Sequence, residues 1–266
     1  MENFIHWNID PIMLKLGPLQ IHWYGLIFAI GLLGGFYIAE WMAKREGKDT
    51  KDLEPLFLYI VIGMVVGARL AHCLFYDFNY YAKHPLEILY IWKGGLASHG
   101  GFLGVILALY LYSKKYKTFS LSWLLSRGSI VAMFIATFIR IGNFFNSELV
   151  GKKSDFSLAV VFDRVDNFPR HAVVLYESFS YFLIFLILLF LYKKLSYQKF
   201  TKIAFGLVLI LGFGARVFLE QFKTTQSEFV KEYSLLLSMG QILSLPFIAI
   251  GIILLIKGLK SDKLSS

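Results

Sequence analysis

The 266-residue chain is 57% hydrophobic and 17% charged, with a mean hydropathy of +0.60. A soluble globular domain carries about 25% charged residues, so most side chains here have no water to face and a soluble fold is excluded. The net charge of +9 sits mostly in short clusters between apolar runs, where Lys and Arg fix membrane orientation and meet anionic lipid, and no basic, aromatic-rich soluble module exists to bind nucleic acid.

In chain order, the first residues (MENFIHWNIDPIMLKLGPLQ) lack a basic start and a small-residue cleavage site. They do not read as a removable signal peptide, so the first apolar run is expected to stay in the mature protein. Seven apolar runs follow, at 20–40, 54–74, 96–113, 123–145, 172–192, 203–221 and 238–256. Each is close to the ~20 residues a helix needs to cross a bilayer. An all-α membrane protein of about seven transmembrane helices is predicted. No polar stretch is long enough for a soluble domain, so residues 1–266 should form a single polytopic membrane domain. The connection 75–95 is rich in Tyr, Phe and Trp, as expected at headgroup level. Residues 146–171 read as a small structured insertion, and the alternation in SLAVVF (157–162) predicts a strand. The single cysteine, Cys73, rules out an internal disulfide and a cysteine-based metal cluster.

Basic residues set the orientation. One set of connections holds fourteen: Lys44, Arg45, Lys48, Lys51, Lys114, Lys115, Lys117, Lys193, Lys194, Lys199, Lys202, Lys257, Lys260 and Lys263. The alternate, longer set holds nine: Lys15, Lys83, Lys93, Lys152, Lys153, Arg164, Arg170, Lys223 and Lys231. The denser set belongs in the cytoplasm, which places the N-terminus outside, the C-terminus inside, and the insertion between helices four and five on the external side.

Four arginines remain inside the runs: Arg69, Arg127, Arg140 and Arg216. Arg127 lies near a cytoplasmic end and is expected to snorkel. The other three lie toward outer ends, where an intramembrane arginine costs about 2.5–3.5 kcal/mol and usually faces a polar cavity. Arg69 shares a helix face with His72, Cys73 and Tyr76, Arg140 with Asn143 and Ser147, and Arg216 with Glu220 and Lys223. The plain reading of the last set is an ion pair in which Glu220 neutralises Arg216. Three arginines converging at one depth also suit a phosphate, whose geometry the guanidinium fork matches. In GGLASHGG (94–101) glycines flank His99, which lets a backbone or headgroup approach closely, and neutral imidazole can take a proton near pH 7. His22 is expected to anchor an interface and His171 to make a loop contact, while Glu177 needs a partner if buried. No HExxH, GxSxG or Walker pattern is present.

Taken together, the stretches HWYG (22–25), GARLAHCLFYD (67–77), GGLASHGG (94–101), RIGNFFNSELVGK (140–152), PRHAVVLYE (169–177), ARVFLEQFK (215–223) and LSMGQILSLP (237–246) resemble the prolipoprotein diacylglyceryl transferase family, in family order over nearly the whole chain. The resemblance implies a multi-pass enzyme of the bacterial inner membrane. It would move the diacylglyceryl group of phosphatidylglycerol to the lipobox cysteine of a prolipoprotein and release glycerol phosphate, with membrane lipids around it and no cofactor. The chain departs from the family at Gly212-Phe213-Gly214, where a tyrosine is expected, at Ser98 before His99, at Ile139 before Arg140, and at Ala172 in place of proline.

Such a reaction needs a thiolate from a thiol of pKa about 8.5, stabilisation of the departing phosphate, and in-line placement of sulfur and carbon. His99 is the natural general base, unless water or the phosphate takes the proton and His99 only positions. Arg140 and Arg216 are natural phosphate clamps. Arg69 supports the headgroup or holds structure. Tyr24, Gly94, Gly100, Asn143, Asn146, Glu148, Gly151 and Glu220 are expected to shape the substrate pocket, with Glu148 able to orient an arginine. No step requires a metal. The competing readings are an anion or lipid transporter, which predicts repeated halves, and an intramembrane hydrolase using Ser98 or Ser147 with His99.

Overall fold

The computed structural model describes residues 4–17, 19–91, 95, 97–224 and 237–263, with the backbone alone at Leu19, Ser98, His99, Met239, Asp262 and Lys263. The described chain is mostly helical. The helices are α1 (Trp23–Arg45), α2 (Leu53–Phe75), α3 (Phe78–Lys83), α4 (Ser98–Lys115), α5 (Leu121–Phe145), α6 (Val173–Lys194), α7 (Tyr197–Leu219) and α8 (Met239–Lys263). Five short strands accompany them: β1 (Ile5–Trp7), β2 (Ile12–Leu16), β3 (Leu19–His22), β4 (Val160–Phe162) and β5 (Pro169–Arg170).

Among the described residues six segments are long and apolar enough to cross a bilayer: α1, α2, α5, α6, Tyr197–Phe222 and Gly240–Ser261. The third predicted run is the 18-residue α4, outside these six because it opens on Ser98-His99 and closes on Lys114-Lys115. Burial carries the membrane assignment. The Gly240–Ser261 segment is strongly apolar, yet only 11% of its most apolar 18-residue stretch is buried, and Leu33, Phe190 and Ile253 are exposed. Apolar side chains in that arrangement need an apolar solvent, so the chain is a multi-pass membrane protein.

Contacts divide the chain into two compact units, Met1–Ala39 with Ser126–Ser266, and Glu40–Leu125. In the first unit, Gly31, Gly34 and Gly35 of α1 lie under Phe138, Phe134 and Ile135 of α5, and α7 packs on both α6 and α8. The insertion folds because it has a core of its own. β4 runs parallel to β1, in the register Ile5 to Val160, and antiparallel to β5. Val160 and Phe162 bury against Phe144, Ala172 and Val174, with Trp7, Phe145 and Leu149 packed around them. The strand predicted over 157–162 is thus present in its second half, while the N-terminal strands were not anticipated. β2 and β3 pair as an antiparallel hairpin that turns at Gly17, with His22 closing β3.

Arg127 corrects an expectation. It does not snorkel: it is 1% exposed, donates to Ser126 Oγ at 2.8 Å and to Thr201 Oγ1, and lies over the rings of Tyr192, Tyr197 and Phe200. The turn from α6 into α7 folds over the guanidinium before it can reach water.

In the second unit, α2 packs along α4 where Gly63 and Gly67 face Gly104 and Gly100. A Cβ on Gly67 would fall 2.8 Å from the Gly104 Cα, so the two backbones touch and Ala97 N–H donates to Ala68 O at 3.0 Å. The end of α2, α3 and a 3-10 turn at Pro85–Leu89 carry exposed Phe75, Tyr76, Phe78, Leu86 and Leu89.

Candidate functional site

The site in the first unit starts from how α5 ends. Ser147 N–H donates to Phe144 O and Glu148 N–H to Asn143 O, both at 3.0 Å, with Ser147 at φ 54°. This is a Schellman cap with serine in the left-handed position that glycine usually takes. The reversal folds the Glu148 side chain back over the last turn of α5. Asn143 Nδ2 donates to Glu148 Oε2 at 2.7 Å, Asn146 Nδ2 donates to Glu148 Oε1 at 3.0 Å, and Arg140 Nη1 donates to Asn143 Oδ1 at 3.1 Å. Glu148 therefore orients Arg140 through Asn143. Tyr24 of α1 lies over Gly142, where a Cβ would meet its ring at 2.8 Å, within electrostatic reach of Arg140 and Glu148.

The other side of Arg140 is held by α6. Its Nε forms an ion pair with Glu177 Oε2 at 2.9 Å, and Lys223 Nζ meets Glu177 Oε1 at 2.7 Å. Glu177 is fully buried, so the partner it was expected to need is in fact two cations. One turn further along α6, the buried Tyr181 phenol lies within reach of Arg140, Arg216 and Glu177. The expected Arg216–Glu220 ion pair does not form. Glu220 pairs with Lys223 at 3.4 Å instead, and the buried Arg216 Nε has no hydrogen-bond partner. Three cations and three carboxylates thus meet between the ends of α5, α6 and α7, with Arg216 Nε unpartnered among the described residues.

Gly151 joins this cluster to the insertion. Its N–H donates to His171 O at 3.0 Å, and on its other side it bridges Lys223. A Cβ there would fall 2.7 Å from both His171 Cβ and Val173 Cγ2, so no side chain fits between the two neighbours. Thr224 Oγ1 donates to Val150 O at 2.9 Å and Lys152 N–H to Phe222 O at 2.8 Å, which fixes the Lys223 backbone. Arg170 donates to Gly151 O at 3.0 Å and forms an ion pair with Asp166. The Arg170 hydrogen bond holds the Asp166 carboxyl below its usual range. His171 is the expected loop contact, its ring against Phe222, and burial lowers its pKa.

In the second unit, Arg69 is 3% exposed. It donates to the carbonyls of Ile88 (2.9 Å), Gly95 (3.2 Å), Glu87 (2.6 Å) and Tyr90 (3.4 Å) and lies over the Tyr81 ring. Of its two expected roles, holding structure is the one this geometry serves. His72 pairs with Asp77 at 3.1 Å. His99 opens α4 beside Gly100 at the close α2 crossing, and Gly94 lies outside the described residues. Among the described residues no group of three or more His, Cys, Asp or Glu is placed to hold a metal.

Sequence reasoning assigned no role to Lys223 or Tyr181 and left Glu177 without a partner. The Glu177–Tyr181 spacing of one helical turn was an available signal, whereas the Lys223–Glu177 contact is long-range and had none.

The family model described as prolipoprotein diacylglyceryl transferase matches residues 11–257. A relative from Tolumonas auensis named phosphatidylglycerol–prolipoprotein diacylglyceryl transferase is 47% identical, covering 96% of this chain and 98% of its own length. Identically named relatives from Chloroherpeton thalassium (45%; 99% and 97% covered) and Bacteroides fragilis (42%; 93% of each) also match. The chain therefore belongs to the prolipoprotein diacylglyceryl transferase family.

Proposed function

We propose that this chain transfers the diacylglyceryl group of phosphatidylglycerol to the lipobox cysteine of prolipoproteins, the first step of bacterial lipoprotein maturation. The observation that carries this reading is the end-to-end match, at 47% identity, to a relative bearing that name. The chain is read as one polytopic domain of the bacterial inner membrane. It has seven transmembrane helices including α4, the N-terminus and the insertion outside and the C-terminus in the cytoplasm, as the distribution of basic residues supports.

His99 takes the proton of the incoming thiol, the thiolate attacks the diacylglyceryl glycerol carbon that bears the phosphate, and that C–O bond breaks with its electron pair going to the phosphate oxygen. A thioether forms and glycerol phosphate leaves with one more negative charge than the phosphodiester carried. Arg140 and Arg216 hold the phosphate, where low dielectric strengthens each contact. The unpartnered Nε of Arg216 supports its half of that clamp. Asn143, Asn146 and Glu148 keep Arg140 in one orientation. Tyr24, Gly151 and Glu220 shape the same pocket, Gly94 and Gly100 shape the approach around His99, and Arg69 supports that approach by holding the chain that leads into it.

The test uses purified chain in lipid nanodiscs, a lipobox peptide, and phosphatidylglycerol labelled separately in its acyl chains and its headgroup. Acyl label on the peptide cysteine with headgroup label released as glycerol phosphate is expected. Label moved without a covalent change would indicate a transporter, and free fatty acid or diacylglycerol a hydrolase.

A further inference from the structure

The phosphate clamp assigned above leaves two groups unused, Glu177 and Lys223. Glu177 is the one fully buried carboxylate of the cluster, and it holds two cations, Arg140 Nε at 2.9 Å and Lys223 Nζ at 2.7 Å. One carboxylate touching both cations fixes the spacing between them. An ammonium has three donors. Two of those on Lys223 face Glu177 and Glu220, which leaves one for a ligand. The Lys223 backbone is pinned by its bridge to Gly151, so the ammonium cannot drift far from the arginines.

We propose that Glu177 is the positioning residue that orders Arg140 and Lys223 into one cationic wall, and that Lys223 meets the negative charge that grows on the departing phosphate. The inference rests on the phosphatidylglycerol reading above. It accounts for an acidic residue buried inside an anion site: without Glu177, two desolvated cations would repel each other and splay apart. It also accounts for a lysine beside the arginines, because a point charge on a flexible stem can follow an oxygen as the C–O bond lengthens.

The experiment measures initial rates with phosphatidylglycerol and a lipobox peptide, each varied in turn, on the full chain in nanodiscs. Absence of turnover by the unmodified chain would overturn the functional reading itself. Given turnover, Lys223→Met should raise KM for phosphatidylglycerol about tenfold and lower kcat by about 10²-fold, the range for loss of one charge-stabilising donor. KM for the peptide should not change, and Lys223→Arg, which restores the charge, should recover most of both losses. Glu177→Gln should move the same two constants in the same direction. If that variant fails to insert, the two Lys223 variants decide alone. Wild-type constants for Lys223→Met would overturn the proposal. So would equal rises in KM for both substrates with no recovery by Lys223→Arg, the pattern of a residue that only supports the fold.

Discussion

Arg69 and Arg140 look alike in the sequence. Each lies near the predicted outer end of an apolar run with polar residues one turn away. In the structure they are used in opposite ways. Arg69 gives donors to four backbone carbonyls between Glu87 and Gly95 and ties down the chain beyond α2. Arg140 makes its contacts with side chains, Glu177 on one edge and Asn143 on the other. A cation on carbonyls completes hydrogen bonds that the fold would otherwise leave open in a waterless place. A cation held by ionised and amide side chains is oriented, and it stays in a cluster that also carries Arg216 with its unpartnered Nε. The first arrangement stabilises a loop, and the second prepares a surface for an anion.

The largest effect expected lies outside both arginines and shows what the clamp does without its base. His99→Gln keeps size and some hydrogen bonding but loses the proton acceptor. Turnover should fall by about 10²–10⁴-fold, the usual range for general acid–base catalysis, while phosphatidylglycerol binding stays close to wild type. A more alkaline assay, where the substrate thiol ionises unaided, should restore part of the rate. Collapsed lipid binding with no alkaline recovery would make His99 a headgroup or structural residue and turn attention to Glu148.

Next in size is the cost of breaking the structural arginine. Lys at position 69 cannot reach four carbonyls, and each bond from a charged donor is worth about 1.5–3 kcal/mol. Arg69→Lys should therefore lower stability by at least about 3 kcal/mol, two such bonds, read as a lower Tm and faster amide exchange over residues 85–91. Unchanged Tm with weaker lipid binding would erase the contrast with Arg140.

A smaller effect concerns the insertion that pins Gly151. Asp166 has its folded pKa depressed by Arg170, so its stabilising contribution is present above the unfolded value near 3.8 and is lost as pH falls through the lower folded value. His171 is depressed by burial. As pH falls below about 6.5 the unfolded chain takes up a proton that the folded chain resists, and stability drops there too. Exchange protection over residues 151–171 should weaken in two acid steps. Asp166→Asn should be less protected at neutral pH and lack the lower step, and a two-step profile in that variant would refute the assignment.

Much of this was legible in the sequence because the membrane simplifies it. Each of the seven apolar runs corresponds to a long helix, with ends shifted by up to seven residues, and the buried strand showed in SLAVVF. The N-terminal strands escaped because β1 pairs with Val160–Phe162 across more than half the chain, a contact no local pattern reports. The β2–β3 hairpin did leave a signal, Gly17-Pro18 between two apolar runs, but its last strand merged into the first apolar run. At the site, the Arg140 and Asn143 spacing on one helix face was readable, whereas the role of Glu148 depended on a Schellman reversal at Ser147, where sequence statistics favour glycine. Arg127 was misread because the aromatic residues that enclose it arrive from the next two helices.

The most direct measurement is the shift in Tm produced by phosphatidylglycerol. A ligand that binds only the folded chain stabilises it, by about 2.7 kcal/mol at a hundred times its dissociation constant. The unmodified chain should gain thermal stability as phosphatidylglycerol replaces a zwitterionic lipid in the nanodisc. Arg140→Lys, which keeps the charge but loses the planar fork, should start from a smaller Tm loss than Arg69→Lys, because fewer bonds from a charged donor are broken, and gain little. Arg69→Lys should start lower and gain as much as the unmodified chain. Equal gains in Arg140→Lys and the unmodified chain, or a gain lost only in Arg69→Lys, would contradict the division between an arginine that builds the fold and an arginine that binds the lipid.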